Sequence, residues 1–477
     1  MSDGGLRTLI ILMGGAALVL LVLLRSPGYL ANSEFLGAII VAQVVFAALA
    51  RYRKIFFLIL MASFLWAGMD LPLRIAWLQG RWFVLAIGAL AGFAIYVKDN
   101  GHYFGTFHLV AFFCVLSALV SAVVSAYPEE SVLKALSLLM LFLYGCSGAR
   151  LAVPALHPER FFRGLVVICE VVTYISAGSY FLFRFEIFGN PNSLGAVMGV
   201  VVVPVLFWGV LAATSAVERR RRGFALLLSM MALLSSFSRA STAAAVLACL
   251  MIGVMTRQFR LMVKGAAATV LIAMVVVTVV PLPADAPRWN GSDSVVSVFL
   301  YKGKQQSGLM GSRQGPWDQT LAVIKDHPWF GSGFGTSLTA DDWSQLVPIH
   351  SHFDSRVVRE HGNSYLAIAE WVGLLGVVPF YFLVWMAALH VRRAFSLVRR
   401  SGDILSPAIP AAAVVAAGLV HAGFEDWMFA VGYYVCVLFW AMAFILVDVL
   451  HAAAATRANE IMMPVAEPQF LAAASGQ

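Results

Sequence analysis

Apolar runs of roughly 15 to 25 residues recur from one end of this chain to the other, each closed by a short polar or charged interval. About fourteen can be counted, from Leu6–Leu24 at the start to Phe429–Val447 near the end. Several are short, so the pattern predicts an all-α polytopic membrane protein with about 12–14 transmembrane helices. The run at Leu6–Leu24 is followed by Arg25 and shows no small-residue cleavage pattern, so it reads as the first span and not as a signal peptide.

The intervals between runs divide by charge. RYRK at 51–54, ERRRR at 218–222, RQFRLMVK at 257–264 and HVRRAFSLVRR at 390–400 are basic and belong on the cytoplasmic side. YPEE at 127–130, GNPN at 189–192 and FEDW at 424–427 are acidic or neutral and face outward. With fourteen spans both termini are cytoplasmic, and the Ala-rich segment 451–477 reads as a flexible tail.

A single connection is long, roughly 80 residues from Pro281 to Asn363, and the alternation places it on the outer, periplasmic face. Its Trp, Phe and Gly punctuation is that of a folded loop. Within it, Trp317–Lys325 predicts a short amphipathic helix stopped at His327-Pro328 and followed by the glycine-rich stretch GSGFG at 331–335. No strand precedes those glycines and no Lys-Ser/Thr pair follows, so they do not read as a nucleotide-phosphate loop. The chain divides into N-terminal transmembrane helices at 1–184, a region at 185–450 that contains the loop 281–363, and the tail.

Composition agrees: 61% of residues are hydrophobic and 12% charged, which excludes an ordinary soluble domain. The net charge of +8 comes from short clusters between apolar runs, so no nucleic-acid partner is implied. Cys114, Cys146, Cys169, Cys249 and Cys436 all fall in apolar stretches without metal or disulfide spacing and read as buried, inert thiols.

Chemistry concentrates on the outer face. Arg239, in LLSSFSRASTAA, lies at the outer junction of two short spans, where it must find an anion, carbonyls, water or an acid such as Glu425. Arg313, in GSRQGPW, opens the loop helix, and Arg184 lies beside Glu186 before the GNPN turn. The planar guanidinium fork donates paired hydrogen bonds and stays charged, which suits a diphosphate. His361, in REHGNSYLAIAEWVGLLG, sits where the loop meets the next span, with an ordinary pKa suited to taking a proton from a hydroxyl. His350 and His352, in PIHSHFD with Asp354, compete for that role, and an HxH pair alone is a weak metal signal. Asn363 and Ser364 fit the N-terminal cap of the following helix.

The ordered set SFSRAS, GSRQGPW, KDHPWFGSGFGT and HGNSYLAIAEWVGLLG, in a polytopic chain with one large late outer loop, resembles the O-antigen ligase and polymerase superfamily of bacterial envelope glycosyltransferases over roughly residues 185–430. The resemblance implies transfer of a glycan from an undecaprenyl-diphosphate carrier to an acceptor at the periplasmic face of the inner membrane, either lipid A core or a growing polysaccharide, with no metal and no cofactor. It implies that Arg239 and Arg313 bind the diphosphate and that His361 is the histidine before the late helix. One departure stands out: relatives read His-Asn before the helix, whereas Gly362 here separates His361 from Asn363. His352 is the alternative histidine, and Glu425 in FEDWMF resembles the family's acidic outer motif and would orient an arginine. A ligase and a polymerase share these features. A transporter or lipid flippase is the rival from another class; Glu170, in VICEVVTY, is its one mid-membrane acid, and it leaves the loop unexplained.

Overall fold

The computed structural model describes residues 33–99, 103–183, 185–260, 311–337 and 359–462, together with isolated positions in 13–25 and 262–271. Among them every regular element is helical. The first half holds α1 (Ser33–Leu49), α2 (Phe57–Gly68), α3 (Arg74–Lys98), α4 (Thr106–Val123), α5 (Pro128–Cys146), α6 (Gly148–Leu156) and α7 (Pro158–Phe183). The second holds α8 (Pro191–Ala196), α9 (Val203–Leu211), α10 (Ala216–Ser235), α11 (Arg239–Met255), α12 (Gly311–Asp326), α13 (Ser364–Ser401), α14 (Ala408–His421) and α15 (Tyr434–Met462). Short π-helical stretches at Tyr52–Phe56 and Val197–Val202 lead into α2 and α9.

Helix starts follow local chemistry. Pro128 opens α5 with Glu129 and Glu130 in the first turn, where the missing amide is harmless and negative charge meets the positive helix end. Asn190 caps α8 by accepting from Asn192 N at 2.7 Å, and Ser215 caps α10 by accepting from Glu218 N at 3.1 Å.

Seven helices among the described residues are long and apolar enough to cross a membrane, and three shorter apolar helices accompany them. Phe83, Phe93, Phe112, Phe113, Phe382 and Trp385 lie exposed on the bundle surface, which in water would be untenable and in lipid is the expected face. The chain is an all-α, multi-pass membrane protein. The expected spans Leu6–Leu24 and Gly265–Val280 fall almost entirely outside the described residues.

Inside, aromatic rings interlock: Trp440, fully buried on α15, meets Phe142 of α5 edge-on at 5.1 Å and Phe429 at 5.5 Å. Small residues let helices approach, as lipid-embedded packing requires; a β-carbon on Gly418 of α14 would stand 2.4 Å from the Phe439 ring.

Two boundaries differ from the sequence pattern. The loop helix is already formed at Gly311, where the described residues resume, upstream of the Trp317 that the apolar period suggests, and the Arg313–Glu360 ion pair holds these turns in place. Helix α15 runs on through His451 to Met462, so the segment expected as a tail begins as helix; residues 463–477 lie outside the described ones. Glu170 is buried on α7 and paired with Arg221 at 3.2 Å beside the basic ERRRR cluster, so it is a neutralised structural acid.

Candidate functional site

The site is built around a broken helix. Gly373, inside α13, takes φ 66° and ψ −179°, so the helix is interrupted one turn after Glu370 and its backbone groups need partners elsewhere. The glycine-rich turn supplies them: Ser332 N donates to Glu370 O at 2.9 Å and Gly333 N to Trp371 O at 3.1 Å. In the other direction, Leu374 N donates to Pro328 O at 2.7 Å and Leu375 N to Trp329 O at 3.2 Å. A β-carbon on Gly331 or Gly373 would come within about 2.5 Å of the facing backbone, which is why glycine occupies both sides of the join. The amides at 332 and 333 are therefore engaged by protein carbonyls. The GSGFG stretch splints the break in α13.

That splint holds a chain of ionisable groups in line. Glu370 is fully buried and accepts from Arg359 Nη2 through Oε2, while its Oε1 lies 3.2 Å from His361 Nε2 and accepts from Ser337 Oγ at 3.1 Å. Arg359, equally buried, also donates to Thr320 Oγ1 at 3.1 Å and Pro316 O at 3.2 Å, tying α12 to α13. On the far side of the imidazole, Asp426 Oδ2 lies 3.2 Å from His361 Nδ1 and accepts from His361 N at 2.7 Å. Both ring nitrogens thus face carboxylates, an arrangement that an imidazolium satisfies by donating from each.

Burial alone would pull the His361 pKa down, but hydrogen bonds and charge from Asp426 and Glu370 outweigh it and the pKa is raised. Asp426 is shifted the opposite way: burial would raise its pKa, and the hydrogen bonds and charge of His361 hold it below the usual carboxylate range. The signs give a pH window. A raised histidine contributes stability that is complete below about pH 6.5, its unfolded value, and is lost as pH rises through the folded value. A depressed Asp426 contributes stability above about pH 3.9 that is lost on acidification. The thermal midpoint in detergent should therefore fall as pH rises above about 6.5, and the fall should shrink in His361→Gln. An unchanged alkaline slope in that variant would remove the clamp as its source.

Beside this clamp lie the two arginines. Arg313 Nη1 donates to Glu360 Oε1 at 2.7 Å and Nη2 to Glu425 Oε1, leaving the guanidinium only 14% exposed. Burial would weaken its charge, and the two carboxylates more than restore it. Arg239 opens α11 half-buried, close enough to Arg313 that the second positive charge acts on it. Two cations from helices distant in sequence thus lie on the same side of the clamp, with Arg239 at the first residue of α11. Gly362 allows it: its φ is +61°, and a β-carbon there would stand 2.9 Å from Arg313 Nη1. The glycine that separates His361 from Asn363 is what lets Arg313 lie against the 359–363 segment.

The FEDW turn closes the site from below. Ser364 Oγ donates to Glu425 O at 2.6 Å and accepts from Met428 N at 3.1 Å, so α13 and the turn share one hydroxyl. Asn363 caps α13, accepting from Tyr365 N at 2.8 Å and Leu366 N at 3.1 Å. Trp427 Nε1 donates to His421 Nδ1 at 2.7 Å, which leaves Nε2–H for Ser241 Oγ at 2.9 Å, and Ser241 lies 2.7 Å from Ser238 at the start of α11. This relay fixes the end of α11 that carries Arg239. On the opposite side of Asp426, an apolar cavity of about 610 Å³ runs between α3 and α5, with Asp426 and Arg359 among its few polar walls.

The sequence-derived candidates Arg239, Arg313, His361, Asn363 and Glu425 thus meet at one end of the bundle. Arg184, His350, His352 and Asp354 lie outside the described residues. Sequence reasoning passed over Arg359, Glu370, Asp426 and His421. The rule that an ionisable group within a span needs a partner singles out Glu370, which lies in the apolar part of α13.

Residues 224–381, roughly a third of the chain, match the O-Antigen ligase family. The matched region runs from α10 into α13 and contains Arg239, Arg313, Arg359, His361 and Glu370; Glu425 and Asp426 lie beyond it. No curated protein matches the chain.

Proposed function

We propose that this chain, which matches the O-Antigen ligase family over residues 224–381, is a membrane glycosyltransferase that moves a glycan from undecaprenyl diphosphate to an acceptor hydroxyl. The observation that carries the reading is the convergence of Arg239 and Arg313, on helices far apart in sequence, next to the Asp426–His361–Glu370 clamp. On this reading the site faces the periplasm, both termini are cytoplasmic, and the acceptor is lipid A core or, for a polymerase, the growing polysaccharide.

The reaction is an inverting displacement at the anomeric carbon, performed by side chains without a metal. The acceptor oxygen bonds to that carbon as the bond to the diphosphate oxygen breaks, and the leaving electron pair stays on the diphosphate. Arg239 and Arg313 stabilise that growing charge with their guanidinium groups. The acceptor's proton passes to the Asp426–His361 pair, whose accessible edge is Asp426, 26% exposed, while His361 is 1% exposed. His361 on this reading orients and charges Asp426 more than it meets the acceptor. The apolar cavity between α3 and α5 accommodates part of the polyprenyl chain.

The test is a product assay. Purified protein in vesicles receives a polyprenyl-diphosphate-linked repeat unit, with or without lipid A core. Release of free polyprenyl diphosphate with a glycosylated acceptor supports transfer, and the product's identity separates ligase from polymerase. Movement of labelled donor across the bilayer with no covalent change would overturn the reading in favour of a flippase.

A further inference from the structure

At the opposite end of the bundle a second polar region has no part in this chemistry. Beyond the break at Gly373, helix α13 continues for about 28 residues to Ser401, about 42 Å at 1.5 Å per residue, longer than the roughly 30 Å of a bilayer's hydrocarbon core. Its last turns carry Arg392, Arg393 and Arg400, all exposed, on the face that looks toward α15. Between the two helices lies a cavity of about 770 Å³, open at that end.

Its walls are of two kinds. Arg392, Arg393 and Arg400, with His390 and His451, supply the polar side, and no carboxylate lines it among the described residues. Leu389, Leu397, Val447 and Leu450 supply an apolar side that continues down the helices. The far wall is fixed: Tyr103 stacks on His451 at 4.0 Å with ring planes 15° apart, and Arg150 Nη2 donates to Tyr103 O at 2.6 Å. Arg150 is itself buried and anchored to Asp448 at 2.5 Å. The cavity is therefore a built feature and not a gap between loose ends.

The other basic cluster on this side is partly paired within the protein. Arg222 is paired with Glu218 at 2.5 Å and Arg221 with Glu170 at 3.2 Å, while on α13 Arg399, next to Arg400, donates to Val254 O. Arg392, Arg393 and Arg400 on the cavity wall form no ion pair among the described residues.

We infer that this cavity binds the headgroup of an anionic glycerophospholipid, with its phosphodiester on Arg392, Arg393 and Arg400 and its acyl chains along the apolar wall. Guanidinium forks match phosphate oxygens, and a basic pocket between membrane helices at headgroup depth is where such a lipid is retained. The site rests on the membrane reading alone and is independent of the transfer reaction.

Native mass spectrometry of the purified, delipidated full chain tests it, with dioleoylphosphatidylglycerol, dioleoylphosphatidylcholine or inorganic phosphate added in parallel. The wild type should retain phosphatidylglycerol over phosphatidylcholine. In R392Q/R393Q/R400Q the apparent affinity should fall about a hundredfold, each arginine near the surface contributing about fivefold. The control R219Q/R220Q/R260Q removes as many exposed positive charges from the same side and should bind as the wild type. Equal loss in both variants, or loss in neither, overturns the site. Retention of inorganic phosphate in place of any phospholipid, abolished by the cavity variant, overturns the lipid assignment. Matching thermal midpoints for the two variants show that binding, not folding, is being read.

Discussion

Arg313→Ala should lower the rate of glycan transfer by about 10²- to 10³-fold while the protein remains folded and inserted. The size follows from the loss of a preorganised donor to the charge that grows on a leaving diphosphate. Arg313 is also an ion-pair partner of Glu360 and Glu425, so a structural explanation must be separated from the chemical one. Two variants do so. Glu425→Gln removes a partner but keeps the cation, and should change the rate only severalfold. Arg313→Lys keeps the charge but loses the planar fork, and should recover part of the loss without reaching the wild type. Arg239→Ala should resemble Arg313→Ala. The measurement is the release of polyprenyl diphosphate from reconstituted vesicles, with unfolding midpoints for every variant. If both alanine variants retained most of the wild-type rate, the diphosphate assignment would be lost.

These expectations start from residues whose position is readable in the chain. Arg239 and Arg313 stand apart from the basic clusters that the charge alternation assigns to the cytoplasm, and a cation expected on the other face asks for an anion. Asn363 as a helix cap needs only its side chain and the apolar run that follows. What the sequence lacks is the partner across space. Glu370 sits in an apolar helix, yet nothing local says that Arg359, eleven residues earlier, turns inward to meet it. FEDW shows two acids side by side, and only the fold sends Glu425 to Arg313 and Asp426 to His361. Gly373 looks like any small residue in a membrane span until its φ of +66° shows a break that a distant glycine-rich turn must splint. Gly362 likewise reads as an insertion until Arg313 is seen lying against it.

The Arg359–Glu370 pair should dominate stability. Both side chains are 0% exposed, so Glu370→Ala leaves a buried guanidinium without its counter-charge, and loss of one partner from such a pair costs about 3–5 kcal/mol. The same change removes the carboxylate from His361 Nε2, so activity should fall along with the midpoint. Replacing both members with apolar residues separates the two effects. Arg359→Met with Glu370→Leu removes both charges together, and a buried pair exchanged for well-packed apolar side chains is often neutral in stability. The double variant should therefore recover most of the midpoint that Glu370→Ala loses. It should not recover transfer, because His361 still lacks a carboxylate on one side and the loop loses the donor that ties Thr320 and Pro316 to α13. Thermal unfolding in detergent and the vesicle assay read the two quantities side by side. Stability losses that simply add in the double variant would show that the pair is not coupled as its geometry demands. Recovery of both stability and transfer would mean that the clamp on His361 has no part in the reaction, and the proton would have to leave the acceptor by another route.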